Sequence, residues 1–242
     1  MALIEIRDLS KSFEGNHVLR DVNLDVGKGT TVVILGKSGT GKSVLLKTII
    51  GLIAPDSGSI SVDGKEVVGC PRKGLNALRK RMGYLFQGAA LYDSMSVREN
   101  LGFPLERHEN LDGEALEARI VSQLRVVGLL EAIDKMPSEL SGGMKKRVGL
   151  ARALITNPEI MLYDEPTTGL DPITSREISY LIKSLQERYQ PTSLAVTHDM
   201  QCARIIADKA AILHDGTLDQ QGTLESLEAS NDDSVRGFFA TE

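Results

Sequence analysis

The chain has 242 residues, 41% of them hydrophobic and 25% charged, with a formal net charge of -5, an ordinary balance for a soluble globular protein. Nothing in that charge argues for a nucleic-acid partner. Its two cysteines, Cys70 and Cys202, form no CxxC spacing, which excludes a disulfide framework or a four-cysteine zinc site and fits a reducing cytosol.

In chain order, the first third carries the turn signals FEGNH, GKGT, PDSGS and VDG between short runs, which predicts an antiparallel β region. TVVIL follows, a continuous apolar run of the kind that forms a strand buried on both faces. It leads into GKSGTGKS and then the helical SVLLKTIIGL. The middle of the chain, about 93–157, shows helical periodicity without a clear strand, with Leu116, Ile120, Leu124 and Val127 as one apolar stripe. IMLYD, SLAVT and AAIL then read as further buried strands. Between the first two of these, Asp171-Pro172 opens a helix whose stripe is Ile178, Leu181, Ile182 and Leu185. Strand alternating with helix predicts an α/β core with a parallel sheet, an N-terminal antiparallel β region and an inserted helical subdomain.

GKSGTGKS, Gly36 to Ser43, fits GxxxxGK[ST] at every fixed position and stands between a strand and a helix. Its glycines let the backbone curl around phosphate, from Gly36 through Lys37, Ser38, Gly39, Thr40 and Gly41. The helix start adds its positive dipole end. Lys42 supplies a charge for the β- and γ-phosphates of a nucleotide, and the Ser43 hydroxyl a ligand for Mg²⁺. A plain glycine-rich connection is the alternative, and the complete match in context argues against it. IMLYDE delivers Asp164 and Glu165 to a strand end. Asp164 suits the metal and Glu165 the polarisation of a water; alone, the pair would equally suit an acidic helix cap.

These motifs and their order resemble the ATP-binding subunits of ATP-binding-cassette transporters along nearly the whole chain, about 2–240. LSGGM, Leu140 to Met144, stands where that family has LSGGQ. The resemblance implies that Phe13 stacks on adenine, that Gln87 contacts the metal, and that His198 contacts the γ-phosphate and acts with Glu165 in catalysis. It also implies that the Asp171 loop touches a second subunit. Taken singly, Phe13 reads as a core aromatic, Gln87 as a solvated side chain and His198 as a structural histidine. In the family two subunits pair head to tail, which places Ser141, Gly142 and Gly143 over the partner's ATP. The KKR after Met144 reads as a solvated, phosphate-attracting helix face.

LGKSGTGKSVLLK, FQGAALYDSMSVREN, LSGGMKKRVGLARAL and GLDPIT are similar to the MlaF-type branch, whose members work with a permease and an MCE lipid-binding protein to move phospholipid. In that setting Leu91, Tyr92 and Met95 suit a groove for a permease helix. No apolar run reaches the length of a bilayer span, VLLKTIIGLIA being broken by Lys47, and MALIEIRDLS lacks a signal-peptide layout. The expectation is a peripheral protein on the cytoplasmic face of the bacterial inner membrane. The alternatives are an ABC-type ATPase outside transport, as in iron–sulfur assembly, or a transporter ATPase for another cargo. The repair and translation forms are disfavoured by the absence of a long coiled-coil insertion and of a second cassette. No role is assigned to Phe238-Phe239.

Overall fold

Alternation along the first strands builds the N-terminal layer. The computed structural model describes residues 2–109, 111–232, 235 and 239. In it β1 (Ala2–Phe13) and β2 (Asn16–Gly27) form an antiparallel hairpin that turns at Glu14 and Gly15, both left-handed. Ile4 and Ile6 on one strand and Val22, Leu24 and Val26 on the other are buried, at the two-residue period of a half-covered sheet. β3 (Thr31–Leu35) leaves for a second sheet, while β4 (Ser57–Val62) returns to the free edge of β1 and carries β5 (Lys65–Glu66).

Among the described residues the second sheet holds six strands: β3, β6 (Met82–Leu85), β7 (Ile160–Asp164), β8 (Thr192–Thr197), β9 (Lys209–His214) and β10 (Thr217–Gly222). Their order is β10-β9-β3-β8-β7-β6, parallel except for the antiparallel β10 edge. Every residue of β3, β7 and β8 is buried, because both faces of the sheet are covered. TVVIL and IMLYD coincide with β3 and β7, and the other two predicted strands widen by a residue or two.

Alternate β3 residues belong to different cores. Val32 and Ile34 pack with Leu45, Leu46 and Ile49 of α1 (Lys42–Ile49), Leu78 of α2 (Arg72–Arg79) and the N-terminal sheet. A separate helical cluster joins Val97, Leu101 and Leu105 of α3 (Val97–Glu109), Ile120 and Leu124 of α4 (Gly113–Val126), and Val148 and Ala151 of α5 (Gly142–Leu154). Val33 and Leu35 face the other way. They pack on Ile178, Ile182 and Leu185 of α6 (Pro172–Tyr189), Cys202 and Ile206 of α7 (Met200–Ile206), and Leu224 of α8 (Leu224–Glu228). Phe239 packs on that last core, and Phe238 lies outside the described residues.

Sequence reasoning missed β6, and Gly83 explains why. Glycine is a poor strand signal, yet here a Cβ would lie 2.4 Å from the Ala153 carbonyl oxygen of α5, so only glycine lets helix and strand approach. Among the described residues no helix is long and apolar enough to cross a membrane.

Candidate active site

β3 ends in a loop that space and dihedral angle reserve for glycine. A Cβ on Gly36 would lie 2.7 Å from the Leu213 carbonyl oxygen and 2.8 Å from Thr40 Oγ1. Gly41 has φ +97°, and a Cβ there would meet Val18 Cγ1 at 2.7 Å. Such a curl gathers N–H groups on its concave side, and α1 then starts with no side-chain cap and no acidic residue in its first turn. Thr40 closes the curl by donating its hydroxyl to the Lys37 carbonyl at 2.9 Å.

The buried Lys42 ammonium donates to the Gly36 and Lys37 carbonyls at 2.6 and 2.9 Å and pairs with Glu165 Oε1 at 3.1 Å. Ser43 Oγ donates to Asp164 Oδ1 at 2.6 Å, and the Tyr84 hydroxyl donates to the other oxygen, Oδ2, at 3.0 Å. Burial beside that carboxylate pushes the Tyr84 phenol well above its ordinary pKa, so it stays a donor. Asp164 and Glu165 do take separate directions, though strand alternation is only part of the reason. Glu165 is left-handed at φ 49°. A side chain in that region costs on the order of 1–3 kcal/mol, and the turn swings its carboxylate toward His198. Glu165 Oε2 lies 2.9 Å from His198 Nδ1 and accepts the Thr168 hydroxyl at 3.0 Å and, at 3.3 Å, the Thr197 hydroxyl.

Ser38, Gly39, Gly41, Lys42, Ser43, Gln87, Glu165 and His198 together line one open cleft of about 360 Å³, with Val18 and Thr168. Ser43, Asp164 and the exposed Gln87 amide are a set of hard oxygen ligands on the scale Mg²⁺ takes from a protein when phosphate and water complete its shell. The donor chemistry present therefore fits that metal.

Three sequence-predicted groups lie elsewhere. Phe13 sits at the end of β1, exposed, with Lys11 Nζ 5.2 Å from its ring centroid; Val18 of the paired strand reaches the cleft instead. Ser141, Gly142 and Gly143 begin α5 and do not line this chain's cleft. Ser141 Oγ accepts the Met144 N–H at 3.3 Å, and a Cβ on Gly143 would lie 2.6 Å from Thr174 Cγ2 of α6. Met144 packs on the helical core, which suits methionine where a glutamine would lose its solvation. Of the groove residues, Tyr92 lines a second cavity, about 490 Å³, with Phe86, Phe103 and Arg152; Leu91 packs into the helical core and Met95 is outside the lining.

The KKR segment corrects its sequence reading. Lys146 is 4% exposed, and Arg147 donates to the Val127 carbonyl and to Glu177, so this face of α5 is packed rather than solvated. Lys146 Nζ donates to the main-chain carbonyls of Gln87 and Glu165, and burial pushes its pKa down to about 8 against the pull of Glu165 and Asp164. Sequence reasoning also missed Tyr84 and Thr197, which reach the site from neighbouring strands, and Thr168, which reaches back to Glu165 from the turn three residues on.

The family model described as "ABC transporter" matches residues 19–168. The chain belongs to the ABC transporter family. An intermembrane phospholipid transport system ATP-binding protein, MlaF of Haemophilus influenzae, is 41% identical over 99% of this chain and 91% of its own length. A probable ribonucleotide transport ATP-binding protein, mkl of Mycobacterium leprae, is 42% identical over 98% of this chain, which spans 68% of that relative. Among solved structures, the dimeric ATP-binding cassette MJ0796, in a post-hydrolysis state bound to ADP and Pi, gives a TM-score of 0.84 at 31% identity, covering 91% of this chain and 98% of that one. CbiO1 from Clostridium perfringens, part of the ABC transporter complex cbiONQ, gives 0.83 at 29% identity, covering 99% and 98%. This chain is thus an ABC ATPase subunit that uses ATP with Mg²⁺.

Proposed function

We propose that two copies of this chain pair head to tail and hydrolyse two ATP molecules to power a membrane permease that moves phospholipid. The observation that carries the catalytic part is the Glu165 carboxylate, held between Lys42 at 3.1 Å and His198 at 2.9 Å, next to the Ser43–Asp164 pair. The curled loop and Lys42 bind the β- and γ-phosphates, the Lys42 ammonium exchanging loop carbonyls for phosphate oxygens. Ser43, Gln87 and Asp164 would hold Mg²⁺, which when bound would supply positive charge against the phosphate oxygens. Glu165 is the general base for the attacking water, and His198 orients that carboxylate and reaches the γ-phosphate. Phe13, free of the core at 43% exposure, stacks on adenine.

Ser141, Gly142 and Gly143 serve the partner's nucleotide, a role supported by their position outside this chain's own cleft. Residues 2–240 form one cassette, with 93–157 as its helical subdomain. The permease docks by way of Leu91, Tyr92 and Met95, Tyr92 being 46% exposed over its cavity. An MCE lipid-binding protein completes the system, at the cytoplasmic face of the inner membrane. The phospholipid cargo rests on the MlaF relative, matched along 91% of its length; the mycobacterial relative's name makes a ribonucleotide the rival cargo.

Glu165→Gln keeps the size of the side chain and removes its charge. Loss of a general base costs on the order of a hundred- to ten-thousand-fold in rate, while Asp164 keeps the metal. Phosphate release should fall by that factor, and size-exclusion chromatography with ATP should show a stable pair. Hydrolysis at the parental rate would place the base elsewhere. For the cargo, proteoliposomes holding the permease complex should couple ATP turnover to transfer of a fluorescent phospholipid; coupling to a radiolabelled ribonucleotide instead would reverse that choice.

A further inference from the structure

Two lysines are buried among the described residues, Lys42 and Lys146, each 4% exposed, and both grip Glu165. Lys42 pairs with the carboxylate; Lys146 Nζ donates to the main-chain carbonyl at 3.0 Å. The same ammonium donates to the Gln87 carbonyl, 59 residues away in sequence. No carboxylate lies within ion-pair distance of it among the described residues. A buried ammonium bonded only to carbonyls is a poor stabiliser, since the carboxylates of Glu165 and Asp164 act on it from beyond ion-pair distance and desolvation outweighs their pull. Stability alone does not account for this residue.

Its neighbours on α5 show what it joins. Gly149 lies three positions on, and a Cβ there would sit 3.1 Å from Ala89 Cβ. Arg152, three further on the same face, donates to the Ala89 and Ala90 carbonyls, both at 2.9 Å. Ala89 and Ala90 are left-handed at φ 60° and 48°, so the segment after Gln87 is bent against local preference and held from α5. One helix face thus fixes the Gln87 segment at Lys146, Gly149 and Arg152, and through Lys146 fixes the left-handed Glu165 as well.

We infer that Lys146 is a positioning residue, which ties the helix led by Ser141 to the backbone of Glu165 and Gln87 so that the three move as one body. The inference rests on the catalytic reading of Glu165 given above. It means that closure of α5 over a partner's nucleotide alters the aim of the hydrolytic carboxylate in this chain's own cleft.

The test uses the full chain, with its permease if the chain alone is inactive. Lys146→Met keeps the stem and removes the donors; Lys146→Gln restores a neutral donor. For Lys146→Met we expect a fall in kcat of tenfold or more, with Kd for ATP within threefold of the parent and Tm unchanged or higher. Lys146→Gln should recover at least half of the lost rate. Parental kcat in Lys146→Met, a loss carried by Kd, or a fall in Tm that matches the fall in rate would each overturn the positioning role. Glu165→Gln runs beside them: full hydrolysis in that variant sinks the catalytic reading itself, whatever Lys146 does.

Discussion

The chain opens two helices on glycine-rich loops, and the two starts are built in opposite ways. α1 follows Gly41, left-handed and without a side-chain cap, and is ringed by its own chain's Lys42, Ser43, Asp164 and Glu165. α5 follows Ser141, whose hydroxyl caps the Met144 N–H, and residues 141–143 are outside the lining of the phosphate cleft. The first start is complete within one chain. The second leaves Ser141 and Gly142 exposed, and in the proposed pairing it waits for an anion from another molecule. On the proposed head-to-tail pairing, the two similar motifs differ in which polypeptide finishes the site.

Substitutions can break that contrast. The largest effect should come from Lys42→Ala, which takes the buried cation from the self-contained start. Removing one preorganised donor from a reacting centre typically costs on the order of a hundred- to a thousand-fold in kcat. Phosphate-release kinetics should show at least that loss, and ATP binding should weaken with it. Ser141→Arg should separate the two starts. Equilibrium binding of a fluorescent ATP analogue to the single chain should stay within a few-fold of the parent, because Ser141 is outside its own cleft. Hydrolysis by the assembled complex should fall at least tenfold, since the bulky cation blocks approach to the partner. Equal loss of binding and turnover would mean that α5 serves its own chain, and the contrast would collapse.

The smallest effect should lie outside both loops. Tyr92→Ala removes an exposed ring that lines the 490 Å³ cavity and contacts Phe103 at a centroid distance of 5.2 Å. Nucleotide affinity should be unchanged within twofold, and pull-down of the permease should weaken. A change in nucleotide affinity as large as that in permease binding would show that the cavity and the cleft are not separable.

The sequence by itself determined what depends on neighbours along the chain. TVVIL and IMLYD read as buried strands because each is a nearly all-apolar run only five residues long, too short for a buried helix, that can be covered on both faces. Asp171-Pro172 had to start a helix, and Asp171 does accept the Ile173 and Thr174 N–H groups, both at 3.1 Å. GKSGTGKS was legible because a phosphate-holding curl is made by consecutive residues. Tertiary structure decided what consecutive residues cannot encode. In KKR, three like charges gave no sign that the middle one is buried; only the packing of α5 against Gln87 and Glu165 sets that. Tyr84 reaches Asp164 from β6, a strand whose central glycine hid it, since its reason lies in the Ala153 carbonyl 70 residues further on. Local backbone chemistry is written in adjacent letters, whereas burial depends on which distant segment arrives to cover a side chain, and for Lys146 that segment decides between a solvated charge and a grip on Glu165.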